Sequence, residues 1–173
     1  DVRLQGGDII RCRARGHFRN DGMSPVVGDL VQIARLSDGT GSLDKILPRK
    51  NLLVRPCAAN IDRLVIVIAA SAPRPDWLLI DKLLIQAFLL SIEPLLVLNK
   101  LDECDDAIVE TFRTDYEPAF DTLRVSVVSG LGIDALKLRL FDAVFCFAGQ
   151  SAVGKTSLLN ALLPTLALPT GGL

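Results

Sequence analysis

Two hydrophobic patterns divide the chain. From Asp8 to Arg15 apolar and polar positions alternate, with Ile10, Cys12 and Ala14 on one face and Arg11, Arg13 and Arg15 on the other. A period of two predicts a half-buried strand. Leu30 to Leu36 and Ser42 to Leu47 read as further strands, with turn signals at Arg19-Asn20-Asp21-Gly22 and Gly28-Asp29. Residues 1–52 therefore predict a small all-β domain, and Pro48-Arg49-Lys50-Asn51 its exit.

Beyond residue 52 the alternation stops. Leu64 to Ile68 and Pro94 to Leu98 are continuous apolar runs, as expected of parallel strands covered on both faces. Trp77 to Ser91 has helical spacing, with Leu79, Leu83, Leu84, Ala87 and Leu90 apolar. The same reading predicts a helix over Asp105–Phe120, a strand over Leu123–Val127, a helix over Ile133–Leu140, a strand over Ala143–Ala148 and a helix over Lys155–Leu163. Strands alternating with helices mean a layered α/β domain with a mostly parallel sheet, here over residues 53–173.

Composition sharpens this picture in a few places. At 5% aromatic residues, the core must be aliphatic. The net charge of -1 conceals an asymmetry: up to Arg55, ten basic residues stand against six acidic ones, a local net of +4. The four cysteines, Cys12, Cys57, Cys104 and Cys146, form no paired metal-binding spacing and predict buried, reduced thiols. The longest apolar tract, Leu78 to Leu98, is broken by Asp81, Lys82, Glu93 and Pro94, so it lacks the roughly 20 apolar residues of a membrane span. No signal sequence stands at Asp1-Val2-Arg3. A soluble cytoplasmic monomer without a membrane partner is the expectation.

The chemistry is concentrated in short motifs. Gly149-Gln150-Ser151-Ala152-Val153-Gly154-Lys155-Thr156, followed by Ser157, matches the phosphate-binding P-loop pattern in full. An apolar strand runs into it and an apolar-faced helix follows, the context that a phosphate cradle requires. Glycines let successive N–H groups turn toward phosphate oxygens, and the helix N-terminus adds partial positive charge. Lys155 is the candidate for charge stabilisation at the β and γ phosphates, and the Thr156 hydroxyl for magnesium. Asn99-Lys100-Leu101-Asp102 follows a buried strand. A carboxylate at Asp102 accepts from both N1–H and the 2-amino group of guanine; adenine leaves it unpaired, and that cost discriminates. An adenosine-triphosphate-using kinase conflicts with this motif. Ser126-Val127 stands where a third nucleotide loop would lie, with a backbone N–H for the guanine carbonyl; a plain loop is the competing reading.

The order is unusual. In ordinary GTPases the P-loop comes first, whereas here the base-reading loop and its serine loop precede it. A doubly wound sheet tolerates such a permutation, because joining the old termini and opening the chain elsewhere leaves the loops on the same sheet edge.

With these motifs, the chain closely resembles the circularly permuted small-ribosomal-subunit biogenesis GTPases, the RsgA (YjeQ) family. Cys12-Arg13-Ala14-Arg15-Gly16 and Val27-Gly28-Asp29 resemble that family's oligonucleotide/oligosaccharide-binding (OB-type) barrel. Leu47 to Asn51, Leu53 to Pro56 and Ala59 to Asp62 resemble its passage into the GTPase domain, and Phe147 to Ser151 its phosphate loop. Val127 and Ala152 depart from the family's usual alanine and glycine. The resemblance implies a circularly permuted α/β P-loop GTPase domain preceded by an OB-type barrel. It also implies GTP/GDP and Mg2+ as ligands, the small ribosomal subunit and its rRNA as partners, and GTP hydrolysis stimulated by that subunit. Zinc is implied only for a C-terminal domain not found in this sequence. No DxxG loop or switch threonines follow the P-loop helix, and Leu166 runs into Ala167 where the family has a long switch loop; a missing loop there and a missing first barrel strand are expectations of the resemblance.

Two readings stay open. The stripe of Arg11, Arg13 and Arg15 is either a phosphate-contacting surface for RNA or a solvated strand face. The activity is either subunit-triggered GTP hydrolysis or that of an RNA-binding module with a weakly hydrolytic, nucleotide-gated scaffold. His17, the only histidine, reads as an ordinary loop residue.

Overall fold

The computed structural model describes residues 1–14, 18, 24–166 and 168–169. Arg15, Gly16, His17, the Arg19–Gly22 turn and Ala167 lie outside the described residues. The chain separates into a compact unit over Asp1–Asn60 and a second over Ile61–Leu173.

The first unit is built of short strands among its described residues: β1 (Val2–Arg3), β2 (Ile9–Ile10), β3 (Cys12–Ala14), β4 (Val31–Arg35), β5 (Gly41–Ile46), β6 (Leu52–Leu53) and β7 (Ala58–Ala59). The single strand predicted over Asp8–Arg15 is two strands with different partners. Ile9 and Ile10 pair with β1, whereas Cys12 to Ala14 run parallel to β5. The change occurs at Arg11, whose carbonyl accepts from Gly41 N–H at 2.9 Å. Because β3 lies beside β5 and β5 beside β4, the order is β3-β5-β4, a crossover arrangement of the kind that Greek-key barrels use. A small core gathers Phe18, Leu43 and Ile46, with Val31 against them.

Leu52-Leu53 pairs with Ala58-Ala59, and Val27 bridges to Ala58, so the chain past residue 52 is held by first-unit strands. Asp29 ties the exit segment into the same unit. Its carboxylate accepts from Arg49 Nε at 2.7 Å, Arg49 Nη2 at 2.9 Å and Val26 N–H at 2.8 Å. Burial raises the Asp29 carboxyl, but the Arg49 guanidinium and the Val26 amide outweigh it and hold the group below its ordinary range.

In the second unit four strands make one parallel sheet: β8 (Arg63–Ala69), β9 (Glu93–Asn99), β10 (Thr122–Arg124) and β11 (Phe145–Ala148). The order is β10-β9-β8-β11. The chain thus travels outward from β8 to β10 and then returns to the other side of β8. That reversal puts a topological switch point between β8 and β11, the place where open α/β sheets bind ligands. Leu64 to Ile68 and Leu95 to Leu98 are at most 1% exposed, the burial on both faces that their unbroken apolar runs predict.

Helix α1 (Trp77–Leu89) starts at Asp76, whose side chain accepts from Leu79 N–H. It buries Ile80, Leu83, Leu84 and Ala87 against β8 and β9. The buried stripe therefore runs through Ile80 rather than through the expected Leu79 and Leu90, which are only half-buried. The long helix expected over Asp105–Phe120 is α2 (Asp106–Thr111) followed by one π-helical stretch, Phe112–Tyr116. Tyr116 stacks on Trp77 and donates to Asp81 at 2.9 Å, joining this segment to α1. On the other face, α3 (Ile133–Arg139) and α4 (Lys155–Leu162) pack together, and Ile133, Leu136 and Leu158 meet Val65, Val67, Leu95 and Val97.

Two thiol expectations are corrected. Cys57 and Cys104 lie outside the strands and helices and are exposed; Cys12 and Cys146, on strands, are half-buried. No helix among the described residues is long and apolar enough to cross a membrane.

Candidate functional site

All four strands of the sheet deliver their carboxyl ends to the same edge. β9 ends at Asn99, β10 leads into Val125 and Ser126, and β11 ends at Ala148, directly before Gly149. Strand β8 lies between β9 and β11, in register through Ala69↔Asn99 and Ile66↔Ala148. Motifs far apart in sequence therefore become neighbours.

The loop from Gly149 to Gly154 turns through left-handed backbone at Gly149 (φ 128), Ala152 (φ 62) and Gly154 (φ 96). Glycine is required at its two ends. A Cβ on Gly149 would stand 2.3 Å from the Val67 carbonyl oxygen, and one on Gly154 would stand 2.3 Å from Asn99 Nδ2. Ala152 adopts the left-handed region with a side chain, at a cost of about 1 kcal/mol. The loop ends in helix α4, whose first residues are Lys155, Thr156 and Ser157. Turned amides leading into a helix N-terminus make a concavity suited to anions.

Lys155 rests on its own loop. Its ammonium donates to the Gly149 carbonyl at 3.0 Å and to the Gln150 carbonyl. Burial pushes the amine below its ordinary value. A half-buried cation held only by carbonyl oxygens has much to gain from an anionic ligand.

The second motif is fastened to the first. Asn99 is 2% exposed, and its Nδ2 donates to the Val153 carbonyl at 3.0 Å. Its Oδ1 is buried without a hydrogen-bond partner. Lys100 occupies the left-handed region (φ 66) and sends its ammonium to the Ala72 carbonyl at 2.7 Å. Leu101 and Asp102 form a short 3-10 turn, and Asp102 is exposed.

The third loop supports the Asp102 carboxylate. Ser126, 1% exposed, donates its hydroxyl to Asp102 Oδ1 at 2.5 Å and accepts from Ser129 N–H at 3.2 Å. Its own N–H donates to the Leu131 carbonyl at 3.0 Å, so Ser126 acts through its side chain, with its amide committed elsewhere. Ser126 and Val127 lie beyond β10, which stops at Arg124, rather than at the end of a longer strand. The bond from Leu101 N–H to the Val125 carbonyl, at 3.4 Å, links the two loops again.

Residues 70–76 carry no recognisable motif, yet they border the same place. Gln150 Oε1 accepts from Asp76 N–H at 2.9 Å, and Gln150 Nε2 donates to the Arg74 carbonyl at 3.2 Å. No sequence signal marks this segment, because its contribution is made by backbone groups. Among the described residues no cluster of three or more His, Cys, Asp or Glu is placed to hold a metal. The magnesium expected from the sequence would need no such cluster, since its donors would be the Thr156 hydroxyl and phosphate oxygens.

The family described as RsgA GTPase matches residues 46–173, and the RsgA N-terminal domain matches residues 1–43. A small ribosomal subunit biogenesis GTPase RsgA from Ruminiclostridium cellulolyticum is 42% identical over 95% of this chain and 54% of its own length. Its counterpart from Caldanaerobacter subterraneus subsp. tengcongensis is 41% identical over 95% of this chain and 56% of its own length. Among solved structures, YjeQ from Thermotoga maritima superposes with a TM-score of 0.82 at 35% identity, covering 96% of this chain and 61% of that one. YloQ, a circularly permuted GTPase, superposes with a TM-score of 0.71 at 34% identity, covering 92% and 57%. The chain thus spans little more than half the length of the curated relatives it matches.

Proposed function

The chain belongs to the RsgA GTPase family, a circularly permuted P-loop fold with an OB-type first domain, and on that premise we propose that it binds guanine nucleotide and hydrolyses GTP in late maturation of the small ribosomal subunit. The observation that carries the reading is the joining of the base-reading loop to the phosphate loop through Asn99 and Val153. An Asn-Lys-x-Asp motif bonded to a P-loop serves one ligand with a purine at one end and phosphates at the other.

The residues divide the work as follows. Asp102, oriented by Ser126, accepts from the two donors on the guanine edge. Asn99 has a second amide hydrogen for the base after the one given to Val153. Val127 supplies the backbone N–H for the guanine carbonyl, since the Ser126 amide is already used. The amides of residues 149–157 cradle the phosphates. Lys155 exchanges two loop carbonyls for phosphate oxygens, and its charge offsets the negative charge that develops during phosphoryl transfer. Bound magnesium, held by the Thr156 hydroxyl, would neutralise phosphate charge. Gly154 lets Asn99 Nδ2 approach the phosphate loop where a Cβ would collide, and the buried, unpartnered Asn99 Oδ1 costs about 1–3 kcal/mol.

Partnership with ribosomal RNA rests on family membership and on the exposed Arg11 and Arg13 of the first unit. The protein acts in the cytoplasm as a monomer in this reading. GTP turnover by the full-length protein, with and without purified small subunits, tests it. Strong stimulation is expected; equal rates with and without subunits would remove the ribosome and favour a nucleotide-gated RNA-binding module.

A further inference from the structure

The segment from Ala70 to Asp76 takes hydrogen bonds from both nucleotide motifs. At one end, the base reader holds it: Ala70 N–H donates to the Asn99 carbonyl at 2.7 Å, and Lys100 Nζ donates to the Ala72 carbonyl at 2.7 Å. At the other, the phosphate loop holds it through both ends of the Gln150 amide, which bonds the Arg74 carbonyl and the Asp76 N–H. The carbonyl of Ala70 also accepts from Asp105 N–H at 2.7 Å, just after the base-reading turn. The contact of Arg74 with Asp105, at 3.9 Å and with a highly exposed guanidinium, adds little.

Resting on the guanine-nucleotide reading above, we propose that this segment is a strut fixing the distance between base reader and phosphate cradle, and that the Gln150 side chain is its positioning residue. The geometry follows from the side chain's chemistry. A glutamine amide presents one acceptor and two donors in a plane, so one residue grips a backbone N–H and a carbonyl of the same passing strand of chain. The carbonyl of Gln150 meanwhile accepts from Lys155, so the residue that grips the strut also seats the phosphate-binding cation. A nucleotide is a two-ended ligand, and its affinity depends on both half-sites being engaged at once. When the spacing between half-sites loosens, each end still binds and the advantage of joining them is lost.

The prediction is therefore a split between the whole ligand and its parts. Gln150→Met keeps the side chain's bulk and removes both bonds; Gln150→Ala removes bulk as well. In calorimetric titrations of the full chain, both variants should bind GDP about tenfold more weakly, as the loss of two hydrogen bonds from the Gln150 side chain to the backbone implies. Guanosine and inorganic pyrophosphate, the two halves used as separate probes, should bind within about twofold of wild type. Amide exchange provides a second readout in the absence of ligand: Asp76 N–H should be protected in wild type and exchange faster in both variants. Wild-type GDP binding with variants unchanged would overturn the strut. So would a loss for pyrophosphate equal to that for GDP, which would make Gln150 part of the phosphate cradle alone, and so would unprotected Asp76 in wild type. Failure of the wild-type chain to bind GDP would sink the functional reading itself, and this inference with it.

Discussion

Asn99 and Val153 stand 54 residues apart, yet the buried amide of the first donates to the carbonyl of the second at 3.0 Å. That bond makes one site of two loops. Replacing Asn99 with Asp would remove the donor and set a carboxylate against the Val153 carbonyl in a place that is 2% exposed. The expected result is destabilisation by about 3 kcal/mol, as for an uncompensated buried charge, together with loss of measurable GDP binding. Thermal unfolding and nucleotide titration of Asn99→Asp check both; an unchanged melting temperature would contradict the burial argument.

Base selection should be separable from stability. In Asp102→Asn the side-chain carbonyl can still accept from Ser126, so the loop keeps its shape. The amide then offers a donor where guanine also presents one. Preference should move from GDP to xanthosine diphosphate by on the order of 100-fold, the scale at which mismatched buried polar groups discriminate. Competition binding measures it, and undiminished GDP affinity would count against Asp102 as base reader.

Ala152 carries a side chain at φ 62 in the phosphate loop. Glycine removes the left-handed penalty of about 1 kcal/mol and gives back part of it as unfolded-state entropy. Ala152→Gly should therefore raise the melting temperature by about 2 °C. A lower melting temperature would show that the loop tolerates alanine without strain.

The first unit should carry an acid-sensitive lock. Asp29 has a side chain only 2% exposed and a carboxyl held below its ordinary value of 3.8, so the folded state binds its proton less readily than the unfolded chain. Its contribution is complete above the unfolded value and is lost as pH falls through the lower, folded one. Arg49→Met should cost about 3 kcal/mol near neutral pH by leaving that carboxylate unpaired. The difference from wild type should shrink as pH drops below 3.8. Amide-exchange protection of β4 and β5 across a pH series gives the comparison, and a gap that stays constant with pH would exclude the ion pair as its source.

Much of this was legible in the chain. The short apolar runs Leu64–Ile68 and Leu95–Leu98 announce buried parallel strands because a strand covered on both faces hides every side chain. Gly149 to Thr156 and Asn99 to Asp102 are recognisable because phosphate cradling and guanine reading demand particular residue types at fixed spacing. The limits were equally physical. Ile80 rather than Leu79 belongs to the buried stripe of α1, since both are apolar and only the sheet beneath decides which turns inward. The π-helical stretch at Phe112 to Tyr116 brings Tyr116 against Trp77 and Asp81, a packing that helical periodicity does not encode.

The sequence by itself determined which groups are chemically able to meet a guanine nucleotide, because those abilities reside in single side chains and in glycines that only certain turns require. Tertiary structure decided how the groups are held. The sheet order returns β11 to the far side of β8 and so places the phosphate loop one strand away from the base reader. The same return brings the Gln150 amide against Arg74 and Asp76, whose part is played by peptide N–H and C=O groups. Every residue but proline carries both of those groups, so their role is written in position alone.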